Sequence, residues 1–220
     1  MLQAATLDFL TQLSAHNNRE WFEKNKASYE AAKADFEALV SKLLPALVPI
    51  EPMLKEQQAK DCIHRIYRDV RFSKDKSPYK TNMGAVFSKG GRKFEGAAYY
   101  LHIESGGKSF AGGGMWMPQP AVLKKLRQEI DYNTDEFKGI VEGKAFKKMF
   151  QAMHSGEPLK KVPAGYDADH PAAEYLKFKS FTVGHNLSDK DLCSKGIAAH
   201  IEKIYSTMAP FVDFLNRSMD

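Results

Sequence analysis

Two glycines between two alternating runs of side chains constrain the fold of this chain more than any other feature. Residues 99–114 read YYLHIESGGKSFAGGG, with Gly106 and Gly107 between the runs. Tight hairpin turns need positive φ angles, which glycine adopts without steric cost. The stretch therefore predicts an antiparallel β-hairpin, and with it a sheet in the middle of the chain.

The residues around this hairpin keep a period of two and are divided by glycine and proline turns. The pattern predicts an antiparallel meander of four short strands, followed by a further strand near residues 178–185. The four strands of the meander are expected at residues 62–68, 80–88, 97–105 and 108–117.

Apolar stripes with helical spacing flank the strands. The first begins at Asn17, ends at the prolines from Pro45 onward, and repeats every seven residues through Phe22, Tyr29, Phe36 and Leu43. The second follows the capping pair Ser188 and Asp191 and continues over residues 197–215. We therefore predict an α+β fold, in which a mainly antiparallel sheet from the middle of the chain is packed by long N-terminal and C-terminal helices. A single domain over residues 1–220 is expected.

Composition excludes several classes of protein. No apolar stretch approaches the 18 residues of a membrane span, and the first residues lack the basic start of a signal peptide. Two cysteines are too few for a disulfide framework. We expect a cytoplasmic protein with buried free thiols, no membrane partner and no cofactor.

Charge is concentrated in residues 62–82, CIHRIYRDVRFSKDKSPYKTN. Six cations stand within sixteen residues, and two carboxylates, Asp69 and Asp75, accompany them: Arg65, Arg68, Arg71, Lys74, Lys76 and Lys80. Arginine and lysine together suit an anion of two or more charges, with Asp69 orienting an arginine and Tyr79 adding a directional contact. Alternatively, the carboxylates pair with arginines in a structural network and the lysines are merely solvated. The sequence leaves open whether Arg65 and Arg68 lie on opposite faces of a strand or on one face of a helix.

The hairpin offers a second candidate feature. With a two-residue turn, Tyr100, His102 and Glu104 face a row of small residues, Gly113, Ala111 and Ser109. This arrangement predicts a hollow in which Tyr100 contacts the anion, while His102 or Glu104 is the candidate general acid or base. The alternative is a glycine bulge beside a histidine that is fully hydrogen-bonded.

Metal and nucleophile chemistry have weaker support. His102 and Glu104 could share a metal with Asp167, Asp169 and His170, but the last three are more simply explained as helix-capping residues. Cys62 and His64 stand two residues apart without an evident third group. We therefore predict no metal site.

The quoted stretch 62–82, together with YYLHIES, GGGMWMP and VPAGYDADHP, resembles a widespread bacterial family of conserved hypothetical proteins, domain of unknown function family 2461. The resemblance covers nearly the whole chain. Its most specific part is the series Arg65, Arg68, Asp69, Arg71 and Phe72, continuing through Lys76 and Tyr79. The resemblance implies that these positions form a unit, and it brings no established activity, substrate or cofactor.

Three hypotheses follow from the sequence. The first is a pocket for a small multiply charged anion, such as a phosphorylated metabolite or nucleotide, with any catalysis left open. The second is a nucleic-acid-binding module in which the same cations contact backbone phosphates and aromatic residues stack on bases. The third is a ligand-free interaction scaffold in which the basic loop only holds the fold together.

Overall fold

The computed structural model describes residues 1–150 and 152–219. Four strands in this part of the chain form an antiparallel sheet with the order β1-β2-β3-β4. They are β1 (Met83–Phe87), β2 (Ala98–Ile103), β3 (Ser109–Met115) and β4 (Phe181–Leu187). The same residues contain ten α-helices: α1 (Ala4–Ala15), α2 (Arg19–Lys24), α3 (Lys26–Leu47), α4 (Ala59–Cys62), α5 (Pro120–Tyr132), α6 (Thr134–Val141), α7 (Lys144–Phe150), α8 (Ala173–Leu176), α9 (Asp189–Leu192) and α10 (Ile197–Asn216). The predicted α+β class is confirmed.

The sheet differs from the predicted meander at its first strand. Residues 62–68 form no regular strand, because a capping box between Gln58 and Asp61 starts the short helix α4, which includes Cys62. Two isolated antiparallel bridges follow. The strand predicted near 178–185 is present as β4 and completes the four-stranded sheet beside β3.

The hairpin and the positive φ angles of its glycines are confirmed, but the two-residue turn and the register are wrong, because β2 ends at Ile103 and β3 begins at Ser109. Gly106 and Gly107 have φ angles of 77° and 71°. Phe110, predicted on the face opposite His102, stacks on that histidine with ring centroids 4.8 Å apart. Ser109, predicted opposite Glu104 on the same face as His102, is buried, and its hydroxyl bonds to the backbone of Glu104. A shift of one residue moves every side chain of a strand to the other face, so the row of small residues opposite His102 is not formed.

The N-terminal helical region is divided. Helix α1, which the stripe from Asn17 did not predict, buries Leu10 and Leu13. Asn18 rather than Asn17 caps α2, accepting a hydrogen bond from the Trp21 backbone. Non-helical backbone angles at Asn25 then separate α2 from α3.

The C-terminal stripe is confirmed, although the helix is interrupted. The capping box of Ser188 and Asp191 starts α9, a single turn, and α10 begins after Gly196. The predicted apolar residues of α10 are all buried: Ile197, Ile201, Ile204, Tyr205, Met208, Phe211, Val212 and Leu215.

The chain divides into two compact units. The first contains Met1–Lys93, Tyr100–Ala111 and Asn186–Lys203, and the second contains Phe94–Tyr99, Gly112–His185 and Ile204–Asp220. The single domain expected from the sequence stays a prediction.

Each unit has an apolar core of its own. In the first unit, α3 packs on α1 and β1 and buries Phe36 and Leu43. In the second unit, Phe137 lies 5.2 Å from Phe214, and Tyr205 of α10 lies 5.1 Å from Tyr99 of β2. The basic stretch of residues 62–82, called the basic segment from here on, belongs to the first unit.

Candidate functional site

The basic segment leaves α4 and runs beside the chain that enters β1. Ile63 bridges to Ala85, and Tyr67 bridges to Tyr79. Residues 69–77 form a loop between Tyr67 and Tyr79, which we call the 69–77 loop. Arg65 is exposed before this loop, whereas the side chain of Arg68 is 27% exposed and turns into it.

Arg68 braces the 69–77 loop from within. Its Nη1 donates to a carboxylate oxygen of Asp75 and to the carbonyl oxygen of Ser77 at 3.2 Å. Its Nη2 lies 3.5 Å from Oγ of Ser73. Hydrogen bonds from Ser77 and Arg68 lower the pKa of Asp75 to about 2. The guanidinium of Arg68 is therefore hydrogen-bonded within the loop. This arrangement matches the alternative in which the carboxylates pair with arginines in a structural network.

The exposed part of the loop carries the other predicted cations. Asp69 accepts from Nε and Nη2 of Arg71, at 3.0 and 2.7 Å, so this carboxylate holds the Arg71 guanidinium in place. Those bonds lower the pKa of Asp69. Nζ of Lys76 donates to the carbonyl oxygen of Val70 at 3.0 Å, and Lys74 is exposed.

Tyr79 belongs to the core. Its side chain is 3% exposed and stacks on Phe22 with centroids 3.9 Å apart. Asn17 binds both backbone groups of Tyr79, at 2.9 and 3.1 Å. The aromatic ring therefore anchors the end of the 69–77 loop, and burial raises the pKa of its hydroxyl.

A cleft of about 290 Å³ lies between α3 and the segment that contains Arg65. Four cations and one carboxylate line it: Lys33, Lys60, Arg65, Arg92 and Glu37. Lys33 lies 4.0 Å from Glu37. Among residues 1–150 and 152–219, no carboxylate forms an ion pair with Lys60, Arg65 or Arg92. The cleft is therefore strongly cationic.

Two titratable groups report the positive potential beside this cleft. Burial, and then the charges of Lys80 and Arg92, lower the pKa of His64, which lines the cleft. Burial and then Arg65 lower the pKa of Lys80. Each group is harder to protonate first because it is buried and then because other cations are near, and those cations would stabilise an anion placed there.

Sequence reasoning missed most of this cleft. Of the residues predicted to bind the anion, Arg65 lines the cleft. Lys80 does not line the cleft but lies near Arg65 and His64, which do. Lys33 and Lys60 lie on α3 and α4, where isolated lysines look like solvated helix positions. Arg92 lies ten residues beyond the stretch 62–82 in the sequence, and it donates to the carbonyl oxygen of Ile63 at 2.6 Å.

Tyr100 and His102 lie on one face of β2. Tyr100 is half-buried, its ring centroid lies 6.2 Å from that of His64, and burial raises the pKa of its hydroxyl. Phe110 covers His102 on the same face. The hollow predicted here is consequently filled by an aromatic ring.

Both ring nitrogens of His102 have partners. Nδ1 lies 3.3 Å from the amide nitrogen of Asn82, and Nε2 lies 3.1 Å from a carboxylate oxygen of Glu104. With the amide donating to Nδ1, the ring proton lies on Nε2 and is donated to Glu104. Glu104 also lies 3.4 Å from Nζ of Lys108. His102 is thus the fully hydrogen-bonded histidine of the alternative interpretation.

Two further candidates for metal or nucleophile chemistry, His170 and Cys62, are hydrogen-bonded or buried. Nε2 of His170 lies 3.0 Å from Asp131, and its Nδ1 accepts from the Ala172 backbone at the start of α8. Cys62 is buried, and burial raises the pKa of its thiol to about 11. Within the described part of the chain, no group of three or more His, Cys, Asp or Glu side chains is placed to hold a metal ion.

The fold and the cleft define an α+β protein with a cationic cleft between a long helix and a β-bridged segment. The family model described as conserved hypothetical protein DUF2461 matches residues 5–214, and the chain belongs to that family. No curated protein matches the chain, and no solved structure does. In the residues that the structure describes, no helix combines the length and apolar character needed to cross a membrane.

Proposed function

We propose that this protein binds a small, multiply charged anion in the cleft beside Arg65. The observation that carries the proposal is the lining of the cleft, four cations against one carboxylate. Two of those cations, Lys60 and Arg65, are exposed and free of ion pairs with described carboxylates, so they can contact a ligand without breaking a structural bond. The arginine fork suits phosphate in particular.

The ligand class follows from size and surroundings. A volume of about 290 Å³ lies at the small end of ligand pockets and fits a phosphorylated metabolite or a mononucleotide. Tyr29, which is half-buried, lines the same cleft and offers apolar surface to a sugar or base. His64 would contribute a hydrogen bond, and its position makes it the histidine to test for proton transfer ahead of His102.

Binding is tested by calorimetry and thermal shift with pyrophosphate, sugar phosphates, mononucleotides and dicarboxylates at fixed ionic strength. A ligand at about 100 times its dissociation constant adds about 2.7 kcal/mol to the free energy of unfolding, which raises the melting temperature by several degrees. Arg65→Ala removes a charge-assisted hydrogen bond, so we expect at least a tenfold weaker affinity.

Lys74→Ala is the matched control. It removes an exposed cation of the same segment that does not line the cleft, and it should change affinity less than twofold. Free phosphate should compete for the site. Equal weakening by both variants would show general charge attraction and would contradict a defined pocket, as would the absence of any ligand-induced shift.

A further inference from the structure

The 69–77 loop displays one aromatic ring almost completely to solvent. Phe72 is 96% exposed, the most exposed of the large apolar side chains. A phenylalanine left in water forgoes the favourable free energy of burying its ring. Tyr67, at the base of the loop, is 48% exposed.

The loop that carries Phe72 is held in shape. Arg68 ties its two ends together through Asp75 and Ser77. Lys76 bonds across it to Val70, and Tyr79 anchors its exit in the core. Phe72 is therefore presented from an ordered segment, which lowers the entropy lost when a partner binds.

One cation lies beside the exposed ring, and two more stand in the same loop. The guanidinium carbon of Arg71 lies 5.9 Å from the centroid of Phe72, and Lys74 and Lys76 are exposed in the same loop. The two carboxylates of the loop, Asp69 and Asp75, are engaged by Arg71 and by Ser77 with Arg68. An exposed aromatic face can stack on a ring of a partner, and nearby cations with free N–H groups can bind its negative charges. The loop therefore suits a partner that carries both rings and negative charges.

We propose that the tip of the 69–77 loop binds single-stranded nucleic acid. Phe72 stacks on an unpaired base, while Arg71 and Lys74 contact the flanking phosphates. A duplex keeps its base faces covered, so it offers the ring no stacking partner. One apolar side chain gives little anchorage in a lipid bilayer, which makes anionic membranes the less favoured partner.

This surface is distinct from the cleft of the proposed function. Arg65 lines the cleft, whereas Phe72, Arg71 and Lys74 lie on the loop beyond Arg68. The two proposals can therefore fail independently, and one set of variants separates them.

The test is fluorescence anisotropy with a labelled oligothymidine of about twelve nucleotides at fixed salt. Phe72→Ala should weaken binding about tenfold, and Phe72→Trp should retain it, because only the ring is required. Lys74→Gln should weaken binding and make its dependence on salt shallower. Tyr132→Ala, which removes a 72% exposed aromatic ring on α5, is the matched control and should leave the affinity unchanged.

Three outcomes would overturn the proposal. One is equal affinity of Phe72→Ala and the unaltered protein for the oligonucleotide. Another is equal or tighter binding of a duplex of the same length, which would indicate charge attraction without stacking. The third is binding to vesicles containing phosphatidylserine with none to oligonucleotide. Weakened small-anion binding in Arg65→Ala, with oligonucleotide affinity unchanged, would support both sites.

Discussion

Replacing Arg68 with alanine separates a structural role from a ligand-binding role within the basic segment. The substitution removes the donors to Asp75, Ser77 and Ser73. The Asp75 side chain is 61% exposed, so solvent screens its ion pair with Arg68 and the pair contributes little. The bond to the Ser77 carbonyl and the packing of the arginine stem together contribute about 1.5 kcal/mol. We expect a loss of that size in the free energy of unfolding, or about 3 to 6 °C in melting temperature.

The assay is urea denaturation followed by circular dichroism, with calorimetry of anion binding on the same samples. Lys74→Ala is the control, with a change in stability of less than about 0.5 kcal/mol, because its side chain is exposed. Arg68 does not line the cleft, so Arg68→Ala should bind the small anion as the unaltered protein does. Unchanged stability with lost anion binding would refute this reasoning and assign Arg68 to the ligand.

Three further predictions concern other parts of the chain. Gly114→Ala should lower the free energy of unfolding by about 3 kcal/mol or more, because φ is +115° and a Cβ would overlap a carbonyl oxygen of β4. Gly139→Ala, in open space on α6, should raise the free energy of unfolding by about 0.5 kcal/mol. Equal melting temperatures of the two variants would contradict both expectations. Iodoacetamide should label Cys193 of the native protein before the buried Cys62, whose pKa is about 11. In denaturant both cysteines should be labelled equally, and mass spectrometry of the labelled peptides measures the order. A bound anion favours protonated His64, whose pKa is lowered in the free protein, so sulfate affinity should rise as pH falls from about 8 to about 5.5. In His64→Gln the profile should be flatter, and an unchanged profile would exclude this histidine.

Patterns within single elements predicted the fold class well. The apolar stripe of α10 was identified residue by residue, because burial of one helical face depends on spacing along the chain alone. The positive φ angles of Gly106 and Gly107 were predicted for a similar reason, since a tight turn makes a local demand on the backbone.

Features that depend on pairing between segments were predicted poorly. The register of β2 and β3 was wrong because it depends on how many residues the turn contains, which changes which face each side chain occupies. The stretch 62–68 alternates like a strand, yet a capping box at its start and only isolated bridges beyond it left it irregular.

The sequence by itself determined that the chain has a basic segment, residues 62–82, with charged and aromatic residues mixed along it. Only the tertiary structure decided the use of each residue. It turns Arg68 inward as a brace, buries Tyr79, exposes Phe72, and assembles a cleft from cations at positions 33, 60, 65 and 92. The physical reason is that charge is a property of a residue, whereas a site is a property of distances between residues, which packing sets.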